Sequence, residues 1–211
     1  MVDKNLNLIA NRLVKAFLKN KTISPIPVKN AKNIDNANRL RKLCESKVKQ
    51  PVIGFKAGGT AIPVLKKLRE KEPFYASVFN KNVLKNKKKV KINKYTLGIE
   101  LEVCYLIKKQ FFKFRKKLTN KNIIKFISHT APCIEVVGYR QKKKGIKFLG
   151  DLCSDFGANI KFIIGNKKKF KNIKTDNLKT TIQNKKIKQF VNGNTSTVFI
   201  NPINSLKFVL N

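Results

Sequence analysis

Acidic residues are scarce in this chain: 11 Asp and Glu stand against 48 Lys and Arg in 211 residues, a formal net charge of +37. So large a charge opposes compaction and draws the surface toward polyanions. There is one histidine, one methionine and no tryptophan. A lone His129 with no Ser or Cys nucleophile motif argues against a nucleophile–histidine–acid triad. The four cysteines (Cys44, Cys104, Cys133, Cys153) are widely and irregularly spaced, with no C-x-x-C. Buried thiols in a reducing compartment are the expectation, with a zinc site from Cys104, Cys133, Cys153 and His129 as the alternative. No apolar run approaches the length of a spanning helix, and Met1 to Lys19 alternates apolar and polar residues without a signal-peptide core. The expectation is a soluble, cytoplasmic protein without a membrane partner.

What is present suits a globular domain. Hydrophobic residues make up 42%, enough to argue against wholesale disorder, and the length supports one sizeable core. The lysine runs (Lys87 to Lys89, Lys142 to Lys144, Lys167 to Lys169) lie between apolar segments, the layout of solvated loops. They read as surface drift toward Lys, Asn and Ile. No basic stripe interleaved with stacking aromatics is evident, so no specific nucleic-acid partner is expected. Non-specific polyanion binding is the reading that the charge alone would support.

Leu6, Ile9, Leu13, Phe17 and Leu18 recur at helical spacing, and a second helix is expected from Asp35 to Val48, before Pro51. From Pro51 the pattern turns β-rich. Strands are expected at Val52 to Lys56, Tyr75 to Phe79, Gly98 to Ile107, Pro132 to Tyr139 and Asn159 to Ile164. A short helix, Ile62 to Arg69, should follow the Gly58-Gly59-Thr60 turn. Asn80 to Lys94 reads as a basic loop, Asn120 to Ser128 as a helix, and Phe148 to Ala158 as irregular. Asn166 to Lys186 reads as exposed, Gln189 to Ile200 as a hairpin turning at Asn192-Gly193, and Asn201-Pro202 as a helix start. The organisation is one α+β domain, 1–211, with a helical layer over 1–50 and a β-rich part over 51–211.

Scarcity makes the position of each acid informative. Glu100 and Glu102 lie one residue apart within Gly98-Ile99-Glu100-Leu101-Glu102-Val103-Cys104-Tyr105-Leu106-Ile107. Side chains alternate along a strand, so both glutamates share a face opposite Ile99, Leu101 and Val103. Two like charges on a half-buried strand repel and lose hydration, and they call for a cation. Glu135, Asp151 and Asp155 also fall in the apolar central segment. Three carboxylates from two strands can offer facial oxygen ligands to Mg²⁺ or Mn²⁺ with positions left open. The alternative is that these acids pair with nearby lysines. Lys56 ends the first β segment ahead of glycines, but there is no G-x-x-x-x-G-K-[ST], so the turn is not a phosphate loop.

Several segments, in this order, resemble the 2-keto-4-pentenoate hydratase branch of the fumarylacetoacetate hydrolase superfamily. They are Gly54-Phe55-Lys56-Ala57-Gly58 with Thr60; Pro73-Phe74-Tyr75 through Phe79; Ile99-Glu100-Leu101-Glu102-Val103; Ala131-Pro132-Cys133-Ile134-Glu135-Val136-Val137-Gly138-Tyr139-Arg140; Asp151 to Gly165; and Asn201 to Leu206. The resemblance implies a mixed β-roll preceded by N-terminal helices, here C-terminally shortened, and a homo-oligomer. It implies a lyase of aromatic catabolism that adds water to a small 2-oxo or 2-hydroxydienoic acid through a metal-bound enolate. On this reading Glu100, Glu102 and Glu135 hold Mg²⁺ or Mn²⁺. Lys56 assists keto–enol proton transfer with a lowered pKa, and Thr60, Arg140 and Asp155 contact substrate. A shortened, non-catalytic relative serving as a binding or assembly subunit is the alternative. Phe74 stands where hydratases often carry an acid, Thr96-Leu97-Gly98 replaces an arginine-containing lead, and Asp155-Phe156-Gly157 replaces an Asp-Asn pair.

Overall fold

The computed structural model describes residues 4–85, 89–171, 174–184, 186, 188–199 and 201–211. Met1 to Asp3, Lys87 and Lys88 of the first lysine run, and Ile200 lie outside the described residues. Three helices open the chain: α1 (Lys4–Lys19), the single turn α2 (Lys29–Lys32) and α3 (Ile34–Lys47). Helix α1 buries Ile9, Leu13, Val14 and Phe17, the one apolar stripe its spacing provides. Full burial of such side chains contributes roughly 1.5–3 kcal/mol each. Asn33 caps α3 by accepting from the backbone N–H of Asp35 and Asn36 at 2.9 and 3.0 Å.

The β-rich part begins with β1 (Val52–Gly58), helix α4 (Ile62–Leu68) and β2 (Phe74–Phe79); β1 and β2 pair antiparallel. Then come β3 (Val83–Lys85), β4 (Thr96–Ile107), the short α5 (Asn120–Ile123), β5 (Ile127–Gly138), α6 (Leu149–Cys153), β6 (Asn159–Ile164) and β7 (Lys168–Lys169). The main sheet runs β3-β6-β5-β4, with β7 added to β5 and β3 parallel to β6. A hairpin of β8 (Lys179–Asn184) and β9 (Gln189–Asn194) precedes α7 (Pro202–Leu210), which Asn201 caps. Among the described residues no helix is long and apolar enough to cross a membrane.

Two polar links fix the β1–β2 pair, which carries Lys56, relative to the helices. Fully buried Arg41 donates to Glu45 at 2.7 Å on α3, and Glu45 accepts from the Ser77 N–H and hydroxyl of β2 at 3.0 and 2.9 Å. Phe17 of α1 stacks on Phe156 at 4.5 Å and meets Phe79 of β2 edge-on at 5.2 Å.

Four expectations need correction. The stretch Asn80 to Lys94 is not all loop, because it contains a 3-10 turn and β3. The helix expected over Asn120 to Ser128 stops early: α5 gives way to a 3-10 turn, and at Ile127 the backbone is claimed by pairing with Ile107 of β4. Phe148 to Ala158 is more ordered than expected, containing α6 and a 3-10 turn. Asn192-Gly193 is not a turn, since both residues lie inside β9 opposite Thr181 and Thr180. Cross-strand pairing of Ile182 with Val191 and Gln183 with Phe190 sets the register, and it draws in a segment that had read as merely exposed.

Candidate metal site

The β4–β5 register creates the site. Glu100 pairs directly with Glu135, and Glu102 pairs with Cys133. Directly opposed residues of an antiparallel pair share a face, so all three glutamates project on the same side. One carboxylate oxygen from each lies within 4.8 Å of the other two. Burial is graded across the trio: Glu100 is exposed, Glu102 intermediate and Glu135 only 1% exposed.

Lys56 closes the buried end. Its Nζ donates to Glu135 Oε1 at 2.7 Å and to the Gly157 carbonyl at 3.2 Å, with the side chain 9% exposed. Gly157 has φ +67°, and a Cβ there would fall 2.6 Å from the Cβ of Ala76 and 3.6 Å from Cδ of Lys56. Glycine is what lets this turn bring a carbonyl against the ammonium. Asn159, the first residue of β6, donates through Nδ2 to the same Glu135 oxygen at 3.2 Å. Phe74 is 2% exposed, with its ring centroid 6.0 Å from Lys56 Nζ. In place of an acid it puts an apolar wall beside the amine.

The electrostatics follow from three carboxylates sharing one ammonium. Burial pulls the Lys56 pKa down, but Glu135, and more weakly Glu100 and Glu102, outweigh it and hold the amine above its ordinary value. With these carboxylates as its neighbours, Lys56 therefore departs from the expected lowering. Glu102 is pushed up to about 8, by burial first and then by Glu135, against the pull of Lys56. At neutral pH the cluster keeps a proton on Glu102.

This donor set fits a divalent ion. It is all oxygen, as hard cations prefer, and three carboxylates with one ammonium leave two negative charges to be matched. Because the ion needs Glu102 ionised, its binding below pH 8 releases a proton. Mn²⁺ affinity is therefore expected to rise by up to about tenfold per pH unit toward about 8 and then level off. Titrations followed by electron paramagnetic resonance from pH 6 to 9.5 check this; a flat profile would contradict a proton on Glu102 that the ion must displace.

No protein-family model and no curated protein sequence matches this chain. Solved structures do. The 4-oxalocrotonate decarboxylase from Pseudomonas putida G7, complexed with magnesium and adipate, aligns with a TM-score of 0.77 at 15% identity, over 100% of this chain and 81% of that one. The same enzyme complexed with calcium and acetate aligns equally well, at 14% identity. A protein described as a fumarylacetoacetate isomerase/hydrolase, from Oleispira antarctica, aligns at 0.50 and 12% identity over 74% of this chain and 71% of that one. The chain shares the fold of these structures.

Within that fold Lys56, Glu100, Glu102 and Glu135 come together, whereas Arg140 and Asp155 turn into the core. Asp155 is 0% exposed and Arg140 7%. Asp155 accepts from the Arg140 backbone N–H at 2.8 Å and from Gln141 Nε2 at 3.0 Å, and its Oδ1 lies 3.4 Å from Arg140 Nη1. The guanidinium lies over the rings of Phe17 and Phe156 at 4.8 and 5.2 Å. This buried pair fastens α1 to the end of β5. Thr60 sits half-buried in the turn after β1, where its carbonyl accepts from the Phe199 N–H at 2.8 Å. Asp151 accepts from Lys143 at 2.8 Å and from the N–H groups of Lys147 and Phe148, tying down the start of α6. His129 lies within β5 opposite Leu106 and Lys169. Among the described residues the three glutamates are the one group of metal-ligating side chains close enough to share an ion, so Cys104, Cys133, Cys153 and His129 form no zinc site. Asn159 belongs to no motif in the sequence. Its one available signal was a polar residue opening an otherwise apolar strand.

Proposed function

We propose that this protein is a divalent-metal-dependent lyase of the fumarylacetoacetate hydrolase superfamily that acts on a small 2-oxo acid by hydrating a 2-hydroxydienoate. The observation that carries the reading is the buried ion pair of Lys56 and Glu135 beside two further glutamates on one sheet face. Glu100, Glu102 and Glu135 would hold Mg²⁺ or Mn²⁺, which supplies Lewis-acid polarisation of the substrate's carboxylate and 2-oxo oxygens. Lys56 carries the proton that a keto–enol shift requires. Its Nζ is aimed by the Gly157 carbonyl and the Glu135 carboxylate, and the Phe74 ring excludes water from one side of it. Once its carboxylate neighbours are neutralised, the desolvation that burial imposes shifts the balance toward the neutral amine, the form that can retake that proton.

Hydration and decarboxylation would both draw on an enolate of the 2-oxo acid, and the metal-complexed decarboxylase of like fold makes the choice between them experimental. A screen of the purified protein with Mg²⁺, Mn²⁺ and Ca²⁺ against a 2-hydroxydienoate and 4-oxalocrotonate is expected to show metal-dependent loss of the dienol absorbance with uptake of water. Decarboxylation without hydration would replace the hydratase reading and keep the site. Turnover that chelator leaves untouched would overturn the metal dependence, and none of either substrate with any metal would overturn the enzyme reading.

A further inference from the structure

We infer that Asn159 is a positioning residue for the metal centre: its side-chain amide holds one oxygen of Glu135 beside Lys56 and leaves the other for the cation. The inference rests on the glutamate site proposed above and adds a residue that the sequence did not single out.

Glu135 Oε1 receives two donors, Lys56 Nζ at 2.7 Å and Asn159 Nδ2 at 3.2 Å, while Oε2 receives none among the described residues. The orientation of the amide is itself fixed. Asn82 Nδ2 donates to Asn159 Oδ1 at 3.1 Å, so the oxygen end is engaged and the NH₂ end faces Glu135. Turning the amide over would set a carbonyl oxygen against a carboxylate and two NH₂ groups against each other. The Asn159 backbone is also pinned, because its carbonyl accepts from Arg140 Nη2, and Arg140 is held by Asp155. Asn82 is 4% exposed, Asn159 1% and Glu135 1%, so water has little access to substitute for any of these contacts.

The choice of residue suits the charge. A second ammonium at this place would leave the three glutamates with one net negative charge, a poor match for a divalent ion. A neutral donor orients the carboxylate and keeps the charge at two. Arg140 and Asp155, which the family resemblance casts as substrate contacts, thereby acquire a different part: through the Asn159 carbonyl they hold the strand end from which Glu135 is aimed.

The test is Mn²⁺ affinity of the full chain, measured by electron paramagnetic resonance well below the melting temperature, with folding checked by circular dichroism. Asn159→Leu is expected to weaken Mn²⁺ binding by about 10–100-fold, the usual effect of losing a partner behind a metal ligand. Asn82→Leu, which leaves the amide in place but frees its orientation, should weaken binding by about threefold to tenfold. A purely structural part would lower the melting temperature of both variants and leave the affinity of the folded protein unchanged; that result overturns the inference. If Asn159→Leu does not fold, Asn82→Leu decides, with a several-fold loss supporting the inference and wild-type affinity overturning it. A wild-type protein that binds no Mn²⁺ contradicts the glutamate site itself, and the inference falls with it.

Discussion

Replacing Glu102 with Gln is expected to abolish divalent binding and turnover while making the metal-free protein more stable above pH 8. Glu102 is one of the three carboxylates that would share the ion, and its loss removes both a donor and a charge from the set. Weakening of Mn²⁺ affinity by at least about a hundredfold follows for a hard cation whose binding depends on ligand charge. The stability effect has the opposite sign. Glu102 titrates at about 8 in the folded chain against an ordinary carboxylate value of 4.5, so the native state favours the proton. A folded-state pKa raised in this way leaves stability highest at acid pH and erodes it as pH climbs from the unfolded value through the folded one. Gln cannot ionise and escapes that erosion. Melting curves of metal-free protein at pH 5, 7 and 9 should show the variant gaining on the wild type as pH rises. Unchanged metal affinity in Glu102→Gln would count against the site outright.

Lys56→Met should give the complementary signature. The Lys56–Glu135 pair is 9% and 1% exposed, and removing the cation leaves a carboxylate buried with only Asn159 as a donor. Breaking a buried pair from one side costs about 3–5 kcal/mol. For a chain of this size that lowers the melting temperature by roughly 10 °C. The raised pKa of Lys56 means its contribution is fully present at neutral pH and disappears only as pH rises through the folded-state value, so the loss is to be sought near pH 7. Saturating Mn²⁺ should restore much of the stability, because a cation again faces Glu135. Turnover should stay depressed by about 10²–10⁴-fold, the range for losing a proton-transfer group. Together the two variants separate the ligands from the proton carrier: Glu102→Gln loses metal and gains stability, whereas Lys56→Met loses stability and keeps metal. A Lys56→Met protein with wild-type turnover would remove Lys56 from the chemistry.

The glutamate face was legible because strand alternation has a period of two and acids are rare here; Glu100 and Glu102 had to share a side. That Glu135 joins them depends on the β4–β5 register, a pairing across 35 positions that no local pattern encodes; its place in an apolar strand made it one of three further candidates, and the family resemblance singled it out. Lys56 and Asn159 illustrate the reverse problem. Among 48 Lys and Arg and 24 Asn, neither carries a compositional signal, and both acquire meaning only when Glu135 is placed between them. Arg140 and Asp155 show how polar residues in an apolar stretch can be structural: two opposite charges that meet in the core satisfy each other and need no ligand. The Asn192-Gly193 signal failed because turn propensity is weaker than side-chain pairing along a ribbon, and pairing of Ile182 with Val191 carried that dipeptide into β9. Helices α1, α3 and α7 followed the sequence closely, since periodicity and capping asparagines are local features.

The most direct measurement is a diffraction experiment on crystals soaked in Mn²⁺, with data collected to reveal the anomalous signal of the metal. The account predicts a single strong peak between the carboxylates of Glu100, Glu102 and Glu135, with Lys56 Nζ close by but not ligating. A peak coordinated by other side chains, or these glutamates fully paired with lysines while Mn²⁺ is in excess, would contradict it.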